Sequence, residues 1–270
     1  MITLMIALAV AGGCFSAAYA AAGWGMGWSV FAGVLGFGAF QGVFGVLVQK
    51  RVKRDMETVQ GILTEGQRRL QQKVQRWQMR PPGSLQAAQS EIFADTKVFV
   101  KEALAQTETL RKYRPWVPMM DRQIATAQLQ LSWMIKDFKT VDRLMPKALL
   151  VDPTMSAIKM ARLQMLGRPV DEIRKVYDRA VRRVRYNGNV LPAATMSWIL
   201  VQKGDADGAF KLLTEALRKS DDATLKRNHE LLMNNRVAHF SNSGLGDPWY
   251  SLLLEEPKMR MQRPRGGEFR

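Results

Sequence analysis

The first 49 residues contain no Asp, Glu, Lys, Arg or His, and this uncharged stretch constrains the fold more than any other feature of the chain. The whole formal net charge of +16 therefore falls on residues 50–270. Two apolar runs, 1–22 and 29–48, are each long enough to cross a hydrocarbon core of about 30 Å as a helix. The glycine-rich segment 23–28 between them contains two tryptophans, which favour membrane interfaces. We therefore predict a transmembrane helical hairpin over residues 1–49.

Small residues on both apolar runs indicate how the two helices would pack. Lipid provides no hydrophobic force between helices, so close contact between backbones supplies much of the attraction. Gly38-x-x-x-Gly42 is a GxxxG motif, and contact between two copies of the chain through the same face is the alternative interpretation. The glycines that we predict to lie at the helix contact are Gly13, Gly38, Gly42 and Gly45.

Four basic residues directly after the second apolar run predict the orientation of the hairpin. Positive residues beside a membrane exit are retained in the cytoplasm. They are also placed to contact anionic headgroups, at about 1 kcal/mol for each residue near the surface. We therefore predict a multi-pass protein of the bacterial inner membrane, with membrane lipid as a partner and the large domain in the cytoplasm. The four residues are Lys50, Arg51, Lys53 and Arg54.

Two alternatives concern the first apolar run. Ala18-Tyr19-Ala20 has the small-x-small form of a signal-peptide cleavage site, but the basic n-region that such a peptide requires is absent. Cys14 follows Ala11-Gly12-Gly13 in the manner of a lipoprotein cysteine, although Ala11 stands where such sites usually carry a larger aliphatic residue. Because Cys14 is the single cysteine, no intrachain disulfide can form, which fits a reducing compartment.

Residues 50–118 are predicted to form juxtamembrane amphipathic helices. Apolar residues from Val52 to Trp77 recur mostly at alternating steps of four and three, which indicates a helix that continues the second span as a stalk. Arg80-Pro81-Pro82-Gly83 ends this helix, and Ser84 can cap the next one. Gly66 interrupts the apolar seam, which favours packing against neighbouring helices over a coiled-coil dimer.

The following part of the chain is predicted to be helical throughout. Turn residues divide it into helices of about 12–18 residues, and no run alternates apolar and polar residues as a strand would. Residue triplets with an internal spacing of four then three recur, and their last members are 32 and 36 residues apart. The breaks lie at Asp152-Pro153, Gly167-Arg168-Pro169, Asn187-Gly188-Asn189, Gly204-Asp205 and Ser220-Asp221-Asp222, and the triplets are Val141-Met145-Ala148, Ile173-Tyr177-Ala180 and Ala209-Leu213-Ala216.

This pattern resembles the tetratricopeptide repeat family, whose second helix carries a small residue, a large apolar residue and an alanine at these offsets. The segment from Ala148 to Pro153 resembles the proline-marked end of such a repeat, whereas the middle copy lacks that proline and the small first residue. The resemblance covers residues 119–222 and implies helix pairs stacked as an α-solenoid over residues 119–256, because one pair cannot bury its inner face alone. A generic helical bundle with triplets aligned by chance is the alternative. The residues to which the resemblance gives a packing role are Ala148, Ala180, Ala209 and Ala216.

The layout as a whole resembles bacterial membrane-anchored tetratricopeptide proteins, including a two-span family associated with haem biosynthesis. This likeness is one of layout only, so no haem role follows from it. It implies an all-α protein that acts as a scaffold or adaptor, with a repeat groove that holds a peptide or helix of a protein partner.

A second hypothesis makes the basic face of the domain the functional one. Phosphate contacts need only Lys and Arg, so charge alone would allow binding of anionic lipid or nucleic acid. No zinc-finger spacing, RNA-binding motif or interleaving of aromatic with basic residues supports nucleic acid. The alternative is a solvated face that Glu172 and Asp178 partly neutralise. Residues 257–270 are predicted to form a disordered basic tail. The anionic-surface residues predicted outside the membrane flank are Arg174, Lys175, Arg179, Arg182 and Arg183.

Motifs of catalysis and cofactor binding are absent from the sequence. It contains no GxxxxGK[ST], HExxH, GxSxG or CxxC, and no G-x-G-x-x-G after a strand. His229 and His239 have no cysteine nearby and are expected to be ordinary residues rather than metal ligands. Glu255 and Glu256 are adjacent, so they make a poor acid and base pair. We predict no enzyme and no cofactor, with an enzyme that lacks a recognisable motif as the third hypothesis.

Overall fold

Helix makes up 78% of the computed structural model, which describes residues 2–79, 83–183 and 186–257, and these residues contain no strand. The predicted all-α class is therefore confirmed. The basic tail predicted for the C-terminus lies, from residue 258 onward, outside the described residues. The α-helices are α1 (Ile2–Ser16), α2 (Met26–Met79), α3 (Leu85–Glu108), α4 (Met120–Met134), α5 (Phe138–Leu144), α6 (Pro153–Met165), α7 (Val170–Val181), α8 (Val190–Gln202), α9 (Ala206–Leu217), α10 (Ala223–Met233) and α11 (Asp247–Tyr250).

The N-terminal helices form a hairpin. A π-helical turn, Ala17–Ala21, follows α1, and the chain reverses at Gly23, whose φ is +65°. The hydroxyl of Ser29, in the first turn of α2, donates a hydrogen bond to the carbonyl of Gly25 at 3.3 Å. The helix α2 then continues unbroken for 54 residues, because it contains no proline that would remove a backbone donor. Its uncharged and charged parts therefore lie on one helix, as the stalk interpretation predicts.

The helix α3 begins where the sequence predicted, with the side chain of Ser84 accepting a hydrogen bond from the backbone N–H of Ala87 at 3.1 Å. It packs against α2 at Gly66, where an added Cβ would lie 2.3 Å from the Cγ atom of Phe99. Gly66 therefore admits the Phe99 ring between the two helices. The apolar seam of α2 thus packs within its own chain, in a cluster of Val59, Ile62, Leu63, Leu70, Phe99, Val100, Ala103, Leu104, Leu131 and Ile135.

The chain divides by its contacts into two units, Met1–Leu149 and Leu150–Arg270. This division lies beyond the boundary predicted at residue 118. The reason is that Leu131 of α4 packs into the core formed by α2 and α3, and α5 packs against α4. The first helices of the predicted repeat domain therefore belong to the unit that contains the hairpin.

In the second unit, consecutive helices pack in order: α6 contacts α7 and α8, α8 contacts α9, and α9 contacts α10. The predicted breaks coincide with the observed helix ends. Gly167 and Gly204 end helices with φ of +66° and +81°, which glycine adopts without steric cost. Asp205 caps α9 and Asp222 caps α10, each by accepting a backbone N–H group, at 2.8 Å and 2.9 Å.

The helix α5 is shorter than the first triplet requires. It ends at Leu144, so Ala148 lies in the loop beyond it, with its N–H bonded to the carbonyl of Leu144 at 3.1 Å. Pro146 accounts for this end, because proline has no backbone N–H to donate to the carbonyl four residues earlier, although Met145 before it keeps helical backbone angles. The second-helix position that the resemblance implies for Ala148 is thus corrected to a loop position.

Candidate membrane anchor and interaction surfaces

Small residues make the contact between α1 and α2. A Cβ added at Gly33 would lie 3.0 Å from the backbone oxygen of Ala11, and one added at Gly36 would lie 2.6 Å from the Sγ atom of Cys14. Ala7 is fully buried on the same side of α1. Close backbone contact of this kind is the main source of attraction between helices in lipid. The two helices therefore form a hairpin, with Gly33 and Gly36 at its contact.

The four glycines predicted for this contact lie elsewhere. A Cβ added at Gly13, Gly38, Gly42 or Gly45 would meet no atom within 4 Å. Gly38 follows Gly36 by two residues, which is a rotation of about 200° around the helix axis. The glycines of the GxxxG motif thus do not face α1, and within the hairpin their place is taken by Gly33 and Gly36. Packing of this motif against a second copy of the chain stays the alternative interpretation of these glycines.

Large apolar side chains cover the outside of the hairpin. More than half of the surface of Leu4, Met5, Val34 and Val43 is exposed. By length and composition, Thr3–Ala21 and the apolar part of α2 could each cross a membrane. The hairpin therefore has the composition and the surface of a membrane anchor.

The four basic residues that follow the uncharged part of α2, Lys50, Arg51, Lys53 and Arg54, are all exposed. Asp55 lies directly after them and faces the 3₁₀ turn Thr109–Tyr113 instead of solvent. Its carboxylate accepts hydrogen bonds from Lys112 at 2.8 Å and from the Tyr113 hydroxyl at 3.1 Å. The bond from Lys112 lowers the pKa of Asp55, and Asp55 in turn raises the pKa of Lys112. No local pattern in the sequence signals this contact, because its partners lie more than fifty residues apart.

The helix α7 separates basic from apolar side chains. Ile173, Val176, Tyr177 and Ala180 are buried against the rest of the second unit. Burial raises the pKa of Tyr177 and, together with Arg179, lowers the pKa of Lys159 on α6. Within the described residues, no ion pair is formed by any of the five cations predicted here, and all five are exposed. They are Arg174, Lys175, Arg179, Arg182 and Arg183, and together we call them the α7 basic face.

The alanines predicted to pack between repeats have different environments. Ala180, Ala209 and Ala216 are buried on α7 and α9, whereas Ala148 is half-buried in the loop after α5. The carbonyl of Ala216 also accepts a hydrogen bond from the side chain of buried Asn189 at 3.0 Å. Three of the four residues thus lie at helix contacts of the second unit.

The C-terminal part of the chain covers one face of α8. The side-chain amide of Asn242 donates to the carbonyl of Ala194 at 2.8 Å. Trp198 of α8 packs edge-to-face against fully buried Trp249, with ring centroids 6.0 Å apart. Both indole N–H groups donate to the carboxylate of Glu255, at 2.5 Å and 2.8 Å. This face of α8 is therefore filled by the chain's own residues and offers no open groove there.

His229 has a packing role in the structure. Its ring stacks on Phe210 with centroids 4.6 Å apart, and its Nε2 atom lies 3.0 Å from the hydroxyl of Thr214. Among the described residues, no three His, Cys, Asp or Glu side chains come together as a metal site would require.

Comparisons with known proteins give no family for this chain. No protein-family model matches it. No match is found among curated proteins or among solved structures.

Proposed function

We propose that this protein is a membrane-anchored scaffold, in which the apolar hairpin holds a tetratricopeptide-like helical domain at a bacterial inner membrane. Support for the anchor comes from the exposed apolar side chains of α1 and of the uncharged part of α2. The unbroken helix α2 supports a direct mechanical link between this anchor and the charged part of the chain. The proposal assigns the protein no catalytic step and no cofactor.

A recurring helix spacing supports the repeat part of the proposal. The helices α4, α6, α8 and α10 begin at residues 120, 153, 190 and 223, so successive starts are 33, 37 and 33 residues apart. The tetratricopeptide unit is 34 residues long. Small buried residues on the second helix of each pair, such as Ala180 and Ala216, suit the close approach that stacking requires.

The orientation proposed is that the domain faces the cytoplasm. Exposed cations directly after the uncharged part of α2 favour retention on that side. We expect a fluorescent protein fused to the C-terminus to fluoresce, and an alkaline phosphatase fused there to be inactive. Replacing Lys50, Arg51, Lys53 and Arg54 together by Glu should reduce this preference, and the opposite reporter pattern in the wild type would overturn the orientation.

The α7 basic face is the surface that we assign to partner binding, and it carries the proposal. Its five cations are exposed without ion-pair partners among the described residues, while the face of α8 is occupied by residues up to Glu255. Solvent-exposed guanidinium groups bind carboxylates in a bidentate manner and at low cost in desolvation. A protein partner with an acidic segment therefore fits this surface best.

A pull-down from detergent-solubilised membranes tests the scaffold. We expect the wild type to recover a stoichiometric acidic partner and the Arg174→Glu, Lys175→Glu variant to lose it. The matched control is Lys203→Glu with Lys211→Glu, which changes the charge equally at exposed positions outside α7. Recovery of no partner by the wild type, or equal loss in both variants, would count against the proposal.

A second candidate uses the same cations to bind anionic lipid or nucleic acid. The observation that favours it is again the absence of paired acidic groups on the α7 basic face among the described residues. Binding of the detergent-solubilised full chain to RNA, or to micelles with phosphatidylglycerol, should then weaken steeply with salt. The Arg174→Glu, Lys175→Glu variant should bind with a shallower salt dependence than the control variant. Salt-independent or undetectable binding would remove this candidate.

A further inference from the structure

A short loop between the 3₁₀ turn Thr109–Tyr113 and α4 lies beside the uncharged part of α2. The loop, residues 114–119, begins with Arg114 and then contains only Pro, Trp, Val, Pro and Met. The ring of Trp116 contacts the ring of Phe44, with centroids 5.3 Å apart and planes tilted by 47°. Phe44 precedes Lys50, the first charged residue of α2, by six residues, or about 9 Å along the helix axis. Trp116 therefore lies on the apolar side of that charge boundary.

The base of the loop is fixed to α2 at this level. Val117 packs with Val48, Val52 and Met56 of α2 against a buried cluster that includes Leu110. The bonds of Lys112 and Tyr113 to Asp55 hold the loop from the charged side of the boundary. The loop that carries Trp116 is thus held against α2 by its neighbour Val117 and by the turn before it.

The tip of the loop is apolar and exposed. Met119 has 60% of its surface exposed and a left-handed φ of +65°, which turns the chain away from the loop into α4. Exposed basic side chains flank it, and they include Arg111 and Arg114, which pair with Glu108 and Asp121. An exposed apolar tip between cations is the composition of an interfacial lipid contact.

The position of the loop also matches the dimensions of a bilayer. Trp28, two-thirds exposed, lies at the opposite end of the apolar part of α2. Sixteen residues of helix separate it from Phe44, which corresponds to about 24 Å. A hydrocarbon core is about 30 Å thick, and tryptophan prefers both of its interfaces. Trp28 and Trp116 thus lie near the two levels at which a bilayer around this helix would end.

We propose that residues 114–119 form a third membrane contact, with Trp116 and Met119 inserted into the headgroup region of the leaflet on the Lys50 side. The occupant of this surface is the lipid leaflet itself, because the surface is continuous with the apolar face of α2. The inference rests on the proposed membrane anchor. It adds a contact that fixes the rotation and height of the stalk, which a single tilted helix leaves free.

Site-specific fluorescence in vesicles of phosphatidylcholine and phosphatidylglycerol tests this contact. The full chain carries Cys14→Ala, and an environment-sensitive fluorophore is attached to Met119→Cys. The matched control is Val98→Cys, which is 69% exposed on α3 and adjoins Phe99, the residue that packs against Gly66. Gly66 lies sixteen residues beyond Lys50, or about 24 Å from it along α2. A third variant, Val34→Cys, reports on the middle of the apolar part of α2.

We expect a nitroxide placed just below the lipid headgroups to remove roughly half of the fluorescence at position 119 and to leave position 98 unchanged. A nitroxide near the end of the acyl chain should quench position 34. Quenching at 34 without quenching at 119 would overturn the loop contact and leave the anchor intact. Absence of quenching at 34 would overturn the anchor and the loop contact together. Equal quenching at 98 and 119 would also overturn the loop contact, because the whole unit would then lie on lipid.

Discussion

The hairpin of α1 and α2 and the second unit both use small residues to bring helices together, yet they direct their large apolar side chains in opposite directions. In the hairpin, Gly33 and Gly36 lie at the helix contact while Met5 and Val34 point outward. In the second unit, the alanines lie among large side chains that are fully buried. These side chains are Met155, Met160, Ile173, Met196, Ile199, Leu213 and Trp249.

On the proposed membrane anchor, the same packing device is expected to serve in two solvents. In water, burial of large apolar groups drives folding, and alanine only adjusts the distance between helices. In lipid, apolar side chains that point outward cost no free energy, because the lipid tails are apolar too. Close contact at glycine must therefore hold the helices together. A substitution at a small residue of the hairpin should therefore change how closely the two helices approach. A substitution at a small residue of the second unit should change the packing of the buried side chains.

The largest expected difference is in disulfide formation, compared between a cysteine at position 36 and one at position 42 of the hairpin. Mild oxidation of Gly36→Cys should convert nearly all of the protein to a disulfide with Cys14, because the added Cβ lies 3.2 Å from the Cβ of Cys14 and needs to move only slightly. Gly42→Cys should give no intrachain disulfide. Thiol alkylation followed by intact mass measurement checks both. An intrachain bond at position 42 would contradict the observed helix faces, and a disulfide-linked dimer there would support contact between copies.

Removing the largest buried side chain of the second unit is expected to be the most costly substitution. Trp249→Ala should lower the free energy of unfolding by about 3–5 kcal/mol, because it leaves a cavity beside Trp198. Urea titration followed by circular dichroism measures this loss. Met233→Ala, at a position that is 61% exposed, should cost no more than about 0.5 kcal/mol. Similar losses in both variants would show that Glu255 and its indole partners do not hold the C-terminal segment on α8.

A smaller effect is expected from enlarging an alanine in the core. Ala209→Leu should destabilise the protein by about 1–3 kcal/mol, because the site is fully buried and has no space for three further carbons. Ala148→Leu should cost less than about 1 kcal/mol, since Ala148 is half-buried in a loop. The same titration compares them. Equal costs would mean that Ala148 packs as tightly as the resemblance to tetratricopeptide repeats implied.

The smallest effect is expected from removing the carboxylate of Asp55, which binds α2 to the 3₁₀ turn Thr109–Tyr113. Asp55→Asn should lower the free energy of unfolding by about 1 kcal/mol at neutral pH, because it removes the ion pair with Lys112 and weakens the bond from Tyr113. Because folding lowers the pKa of Asp55, its ionised form stabilises the protein above pH 3.8, and this contribution is lost as the pH falls through the folded-state pKa. The wild type should therefore lose more stability in acid than Asp55→Asn does.

Thermal melting in a pH series measures this difference. Glu57→Gln is the control, because its contact with Lys53 is long, at 3.8 Å, and exposed on both sides. It should melt as the wild type does at every pH. Parallel acid sensitivity of the wild type and Asp55→Asn would show that the Asp55 contact does not form in solution.

The features that the sequence predicted correctly are those that depend on nearby residues. Ser84, Pro153 and Asp205 mark helix starts because capping and proline geometry act within one turn. The apolar hairpin and the continuous stalk followed from composition and spacing alone. The difference at the end of α5 is of the same local kind, since Pro146 lacks the backbone N–H that would continue the helix.

The sequence by itself determined an all-helical chain with an uncharged hairpin, and it determined where most of the helices begin and end. Only the tertiary structure decided that Gly33 and Gly36, not Gly38 and Gly42, face α1, because both faces of α2 carry small residues and the choice depends on their partners. It likewise decided that Glu255 accepts hydrogen bonds from Trp198 of α8 and from Trp249 of α11. Such contacts join residues far apart in the chain, so no local spacing encodes them.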